Sequence, residues 1–202
     1  MVPVQLDELG AAYYTGNLHK WVCAPKGAAF LHVRRELQGG LRPPVISHGA
    51  NSPRSDRSRF RLEFDYQGTD DPTPFLCVPA CLRFLEGLFP GGHAELQRRN
   101  RALALEARTR LCTALAVPPP APESMIGTLA AVPLPSGKES TRADAFAVDP
   151  LQRALFEQHQ IEVPVFTWPR APKRLVRVSA QAYNELAEYE ALAAALPRQL
   201  AT

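Results

Sequence analysis

Between His93 and Ala116 the chain runs without a proline or a glycine, in a sequence that otherwise holds 20 prolines and 12 glycines among 202 residues. Leu96, Leu103, Ala107, Leu111 and Leu115 recur near the helical period along it, so the spacing predicts one long amphipathic helix. Pro90-Gly91-Gly92 stops whatever precedes it and Pro118-Pro119-Pro120 closes it. A helix bracketed in this way joins two lobes. Dividing the length by roughly 150 residues per domain gives about one and a third domains. With 46% apolar and 21% charged residues, the composition is that of a globular protein. No apolar run approaches the ~20 residues of a spanning helix, and Asp7 and Glu8 break any basic-then-apolar leader pattern. Membrane partners are therefore not expected. Cys23, Cys77, Cys81 and Cys112 are too sparse for a disulfide scaffold, which points to reduced thiols and a cytoplasmic setting.

On the N-terminal side, short strands are expected at Ala11 to Thr15 and Ala28 to Val33, with a Gly- and Pro-punctuated loop between them. Phe60 to Tyr66 alternates apolar and polar residues and predicts a strand. Asp71 or Thr73 then caps a helix through Leu88. On the C-terminal side the pattern alternates. A strand at Met125 to Pro133 leads through a Gly/Ser/Lys loop to a helix from Asp149 to His159. A strand at Ile161 to Trp168, a turn at Pro169 to Pro172, a strand at Leu175 to Ser179 and a helix from Gln181 to Leu196 follow. Such alternation predicts an α+β or α/β lobe.

Several residues could carry chemistry. Lys20, between His19 and Trp21 at the end of an apolar strand, reads in two ways. Partial burial would disfavour its charged form and make it a nucleophile toward carbonyls; alternatively its stem packs on Trp21 at the surface. Gly68-Thr69 offers backbone N–H groups and a hydroxyl at a predicted strand-to-helix junction, a phosphate seat or an ordinary turn. Arg177, in the apolar run Leu175 to Ser179, either grips a carboxylate with its forked guanidinium or faces solvent. The segment Arg54 to Arg61 is an RNA-binding stretch or a solvated loop. A net charge of +3, with 19 of 23 basic residues arginine, does not by itself point to nucleic acid. Cys77, Cys81 and His93 match no usual zinc spacing.

Together these segments resemble a known family. Tyr13-Tyr14-Thr15-Gly16-Asn17-Leu18-His19-Lys20-Trp21-Val22-Cys23-Ala24-Pro25-Lys26-Gly27 is similar to the cofactor-lysine segment of class V aminotransferase-fold enzymes, in the isopenicillin N epimerase-like branch. Phe64 to Asp71, Val78-Pro79-Ala80, Met125 to Thr128, Ile161 to Val165 and Arg177 to Asn184 agree in order, so the likeness covers essentially the whole chain. The resemblance implies pyridoxal 5'-phosphate as cofactor, held by Lys20 in an internal aldimine. It places Asn17 and His19 near the phosphate, Gly68 and Thr69 at the phosphate of a neighbouring subunit in a homodimer, and Arg177 on the carboxylate of a small amino-acid substrate. Ala12 departs from the family, which often has Asp there.

In the family the lysine lies near the middle of a much longer chain. The resemblance therefore implies a truncated, C-terminal half, with Met1 an internal methionine. The glycine-rich phosphate turn, the ring-stacking aromatic residue and the Asp that pairs with the ring nitrogen belong to the other half. The expected architecture is α/β: residues 1–92 as the last two sheet strands of a partial large domain of the type I pyridoxal phosphate transferases, and residues 93–202 as a complete α+β small domain. The implied chemistry is epimerase, aminotransferase or lyase work at an amino-acid α-carbon. The competing expectation is an inactive fragment or a subunit that docks on a separate N-terminal half.

Overall fold

The computed structural model describes residues 1–137 and 148–201. Contacts divide the chain into two compact units, Pro3–Leu88 and Phe89–Thr202, the second including Met1–Val2.

In Pro3–Leu88, a single helical turn α1 (Leu6–Leu9) is closed by Gly10 at φ 64°. Strands β1 (Tyr13–Asn17) and β2 (Ala29–Val33) form an antiparallel hairpin in which Tyr13 faces Val33 and Asn17 faces Ala29. Helices α2 (Arg59–Asp65) and α3 (Thr73–Glu86) follow a long irregular stretch. The strand expected at Phe60 to Tyr66 is thus a helix. Local forces override the alternation: the Ser58 hydroxyl caps the Arg61 N–H, Arg61 pairs with Asp65 four residues on at 3.7 Å, and Phe60 meets Phe64 at 4.7 Å between ring centroids. Caps and i,i+4 pairs of this kind favour a helical turn that alternation alone does not reveal. Helix α2 also lies close to Gly49, where a Cβ would come 2.0 Å from the Leu62 carbonyl oxygen.

In Phe89–Thr202, the long helix α4 (Gly92–Ala114) buries Leu96, Asn100, Ala104, Ala107, Arg108, Leu111 and Cys112, a face at helical spacing. Strands β3 (Leu129–Leu134), β4 (Val165–Thr167) and β5 (Arg174–Ser179) build an antiparallel sheet in the order β3-β5-β4. Period-two alternation sends Ala130, Val132, Val165, Val176 and Val178 to one face. There they pack with Leu111 of α4, Leu151 and Leu155 of helix α5 (Pro150–His159), and Leu192 and Leu196 of helix α6 (Leu186–Leu200). Each fully buried leucine or valine contributes about 1.5–3 kcal/mol.

Three expected elements are shorter. Residues 123–125 form a 3-10 turn before β3. Pro164 lacks an N–H, and only Val165–Thr167 pairs. Gln181 to Asn184 is a turn, in which the Asn184 side chain accepts the Gln181 N–H at 3.0 Å, and the helix starts after a Glu185/Glu188 capping box. The Gly/Ser/Lys loop beyond Gly137 lies outside the described residues. Arginines brace the proline-rich return after α4: Arg101 donates to the Ile126 and Glu123 carbonyls at 2.9 and 2.7 Å, and buried Arg108 to the Ala121 carbonyl at 2.8 Å. Among the described residues no helix is long and apolar enough to cross a membrane.

Candidate active site

The β1–β2 connection is a stitched turn rather than a slack loop. Leu18 N–H donates to Ala28 O at 3.1 Å, Ala24 N–H to Leu18 O at 3.1 Å, and Cys23 N–H to Lys20 O at 3.2 Å. These bonds fold residues 18–28 back on themselves and leave Lys20 at the tip. Gly16 lies against Phe30, whose ring a Cβ there would approach to 2.6 Å unless the ring moved. Gly27, at φ +110°, lets the chain return against the first turn of α3, where a Cβ would meet Pro74 at 3.1 Å. One helical face of α3 thus supports the turn, through Pro74 and, seven residues on, Cys81, whose thiol lies 3.9 Å from the Cys23 carbonyl.

Asn17, His19 and Lys20 share this turn. Asn17 and Lys20 are exposed, so of the two readings of Lys20 the surface one describes its position; its amine is presented to the surroundings. His19 is half-buried, and its Nδ1 is shut off from solvent without a hydrogen-bond partner. An unpaired buried polar atom carries a cost of ~1–3 kcal/mol that a ligand would relieve. No carboxylate occurs between Gly10 and Arg35. An imidazole, a side-chain amide and an ammonium in an acid-free turn make a donor set suited to an anion such as a phosphate. These residues therefore fit the phosphate and the aldehyde of pyridoxal phosphate.

Gly68 and Thr69 are placed differently from expectation. Helix α3 starts at Thr73, so both lie in the bend before it rather than at its first N–H groups. Gly68 sits at φ +135° with open space around its Cβ position, and Thr69 is exposed. The helix entry is held by Asp71, which accepts the Thr73 N–H at 2.9 Å and its hydroxyl at 2.6 Å. Those bonds, the hydroxyl's first, keep the Asp71 carboxyl below the usual carboxylate range.

Arg177 belongs to the other unit, on the central strand β5 opposite Ala131 of β3. It faces away from the helices, is exposed, and has no carboxylate partner among the described residues. Of the two readings of this arginine, the solvent-facing one describes its position, and a free fork on an open sheet face remains able to take a carboxylate. The basic stretch is different. Arg54 grips Asp56 at 2.5 Å, Arg57 and Arg61 converge on Asp65 at 3.2 and 3.7 Å, and Arg59 donates to the Ser52 carbonyl at 3.0 Å. These guanidiniums are exposed and engaged by the chain itself, as the solvated-loop reading has them. The α3 support of the turn had no sequence signal beyond helical spacing of Pro74 and Cys81.

No family model matches the chain. It is 36% identical over 204 residues to the isopenicillin N epimerase of Amycolatopsis lactamdurans, an alignment covering 96% of this chain and 48% of that protein. To a probable chloroplastic L-cysteine desulfhydrase of Arabidopsis thaliana it is 32% identical, over 95% of this chain and 40% of the relative. Its fold matches an apo cysteine desulfurase from Thermococcus onnurineus with a TM-score of 0.70 at 20% identity, covering 97% of this chain and 48% of the other. An alanine–glyoxylate aminotransferase from Nostoc matches with a TM-score of 0.66 at 18% identity, over 98% and 50%. The chain thus spans about half the length of the curated relatives it matches. Its homologues are pyridoxal phosphate-dependent. Over nearly its whole length the chain is therefore similar to isopenicillin N epimerases and L-cysteine desulfhydrases, and its fold resembles the C-terminal half of class V aminotransferase-fold enzymes.

Proposed function

We propose that this chain carries the lysine-bearing half of a class V enzyme that acts on the α-carbon of a small amino acid, in the manner of an isopenicillin N epimerase. The observation that carries the reading is the stitched turn that presents Lys20 beside an unpartnered His19 Nδ1. Residues 1–92 are then the C-terminal part of the cofactor-binding large domain, with β1 and β2 its last two strands, and residues 93–202 the small domain.

Lys20 would hold the aldehyde carbon of pyridoxal phosphate, while Asn17 and His19 would hold its phosphate. Gly68 and Thr69 reach the phosphate of a second subunit, which makes the working assembly a homodimer, in the cytoplasm. When bound, the cofactor supplies an electron sink conjugated with the reacting α-carbon. Arg177 orients the substrate carboxylate through two parallel N–H donations. Once the substrate amine has displaced it, Lys20 Nζ would take the α-proton on its own face; protonation from a donor on the opposite face inverts the centre, whereas loss of a β-substituent before reprotonation gives lyase chemistry.

A second reading is favoured by the apolar residues that Pro3–Leu88 leaves exposed, among them Ile46, Leu76 and Phe84 at 75%, 73% and 66%. In it the chain is a docking subunit or inactive piece that needs a polypeptide supplying the other half of the fold. Both readings meet one experiment. The chain is incubated with pyridoxal phosphate, reduced with borohydride, and its peptides mapped. Label confined to Lys20 and absent from Lys20→Ala supports the first reading. Label spread equally over Lys20, Lys26, Lys138 and Lys173 overturns it. Little yellow absorbance from the chain alone, restored by co-expression with the N-terminal half of a relative, supports the docking reading.

A further inference from the structure

The Lys20 turn carries a pair of thiols that the proposed chemistry does not use. Cys23 and Cys81, 58 residues apart in sequence, meet where the turn rests on α3, with the Cys81 thiol 3.9 Å from the Cys23 carbonyl. Both thiols are free, Cys23 exposed and Cys81 half-buried. A carbonyl oxygen stands about 2.4 Å from its own Cα, so the Cys81 sulfur lies within roughly 6 Å of the Cys23 Cα, a span that side-chain rotation and a small shift can close.

Cys23 is also set apart by its backbone. It holds φ 58°, the left-handed region that glycine or asparagine usually fills, and its N–H bond to Lys20 O fixes it there. Its own sulfur lies 4.0 Å from the Trp21 carbonyl, on the surface of the turn. Lys20 and Lys26 flank it in the acid-free stretch, and exposed, electropositive surroundings mark reactive cysteines.

We propose that Cys23 and Cys81 form a dithiol that a hydroperoxide oxidises to a disulfide, tethering the Lys20 turn to α3. The Cys23 sulfur attacks the peroxide oxygen, breaking the O–O bond and leaving a sulfenic acid and one water when the oxidant is hydrogen peroxide. The Cys81 sulfur then attacks the Cys23 sulfur, the S–S bond forms, and hydroxide leaves as a second water with the Cys81 proton. Two thiols lose two electrons in total and one peroxide gains them. Because Cys23 N–H bonds to Lys20 O, drawing Cys23 onto the helix moves the residue that bears the amine. That consequence for cofactor chemistry rests on the Lys20 reading above; the disulfide itself does not.

The test treats the full chain with hydrogen peroxide, blocks remaining thiols and digests without reduction. Titratable thiols are expected to fall from the four present to two, with a Cys23–Cys81 linked peptide that dithiothreitol releases and that Cys77→Ser retains. A Cys77–Cys81 link, a Cys23–Cys23 link between chains, or Cys23 sulfinic acid with Cys81 still free overturns the proposal. The wild-type map alone decides this, so serine variants that fold poorly do not blunt it. Borohydride-trapped pyridoxal labelling of Lys20 is expected to slow in the oxidised chain and recover on reduction; an unchanged rate with the disulfide formed overturns the effect on the turn. The mapping needs no cofactor, so its failure is distinct from a failure of Lys20 to bind pyridoxal phosphate.

Discussion

The two units place their apolar residues in opposite ways. Phe89–Thr202 closes a core in which Leu111, Leu155, Leu192, Val132, Val176 and Leu196 are fully buried between one sheet face and three helices. Pro3–Leu88 buries only Ala24, Ala28, Val33, Pro43, Leu62 and Leu85 among its apolar side chains, while Tyr13, Phe30, Leu31, Ile46, Phe75, Leu76 and Phe84 stand exposed. Its two strands pair only with each other, so the outer edges carry unpaired N–H and C=O groups. An isolated two-stranded hairpin is marginal in water. One unit is built around its own interior, and the other is shaped by packing that its own residues do not provide. The residues read as chemical sit mostly on the second kind of unit, which ties the function of this chain to what covers it.

The sharpest way to break this comparison is to separate the units. A fragment of residues 89–202 is expected to unfold in one cooperative thermal transition, followed by circular dichroism, because its core is closed. A fragment of residues 3–88 is expected to show no transition and to associate. An equally sharp transition in residues 3–88 would show that its few buried residues suffice.

Within the intact chain the same contrast predicts unequal truncations. Leu155 is fully buried, and Leu155→Ala is expected to lower stability by about 2–5 kcal/mol in urea unfolding. Leu76, a similar side chain 73% exposed on α3, is expected to change stability by no more than about 0.5 kcal/mol when replaced by alanine. A large loss at Leu76 would mean that the exposed face of α3 is covered in solution.

A smaller effect is expected at the one tight backbone approach in the open unit. At Gly49 a Cβ would meet the Leu62 carbonyl oxygen and the Glu63 Cα, neither of which can swing away. Gly49→Ala should cost about 1–3 kcal/mol as overpacking. Limited proteolysis should then cut residues 3–88 first. Gly39→Ala, with open space around it, is the matched control and should leave the digest unchanged.

The same division explains what the sequence revealed. The closed unit was legible because burial and period coincide: the helix through Leu96 and Leu111 and the strand through Val176 and Val178 fall where apolar spacing put them. The hairpin around Lys20 was legible through its Gly and Pro punctuation. The segment Phe60 to Tyr66 was not, because its alternation is equally compatible with a short helix, and the deciding terms are a Ser58 cap and the Asp65 pairs. The exposure of Lys20 was hidden for a related reason. Its apolar neighbours suggest burial, yet in a unit without a closed core an apolar run need not face inward. For the arginines of residues 54–61 the sequence left a solvated loop and an RNA-binding stretch open, since net composition cannot show that each is held by a nearby carboxylate or carbonyl. For the site, residue types and order were readable, while the support of the turn by α3 depends on a contact 58 residues distant.

The finest prediction tests whether the closed unit alone sets the alkaline limit of stability. Tyr189 of α6 is 6% exposed and donates to the Ser179 carbonyl at 2.6 Å. Burial first, then the charges of Glu188 and Tyr183, push its phenol from 10.0 up to about 12. A raised value means that the folded state keeps this proton after the unfolded chain has released it. The stability it contributes is therefore fully present below pH 10 and is lost as pH rises through about 12. Tyr189→Phe removes both the hydrogen bond and the titration. At neutral pH it should cost about 1 kcal/mol, the net worth of such a bond. Across the alkaline range its urea midpoint should fall less steeply than that of the wild type. If both proteins lose stability in parallel above pH 10, the alkaline limit lies outside this core and the self-sufficiency of Phe89–Thr202 fails on its most specific test.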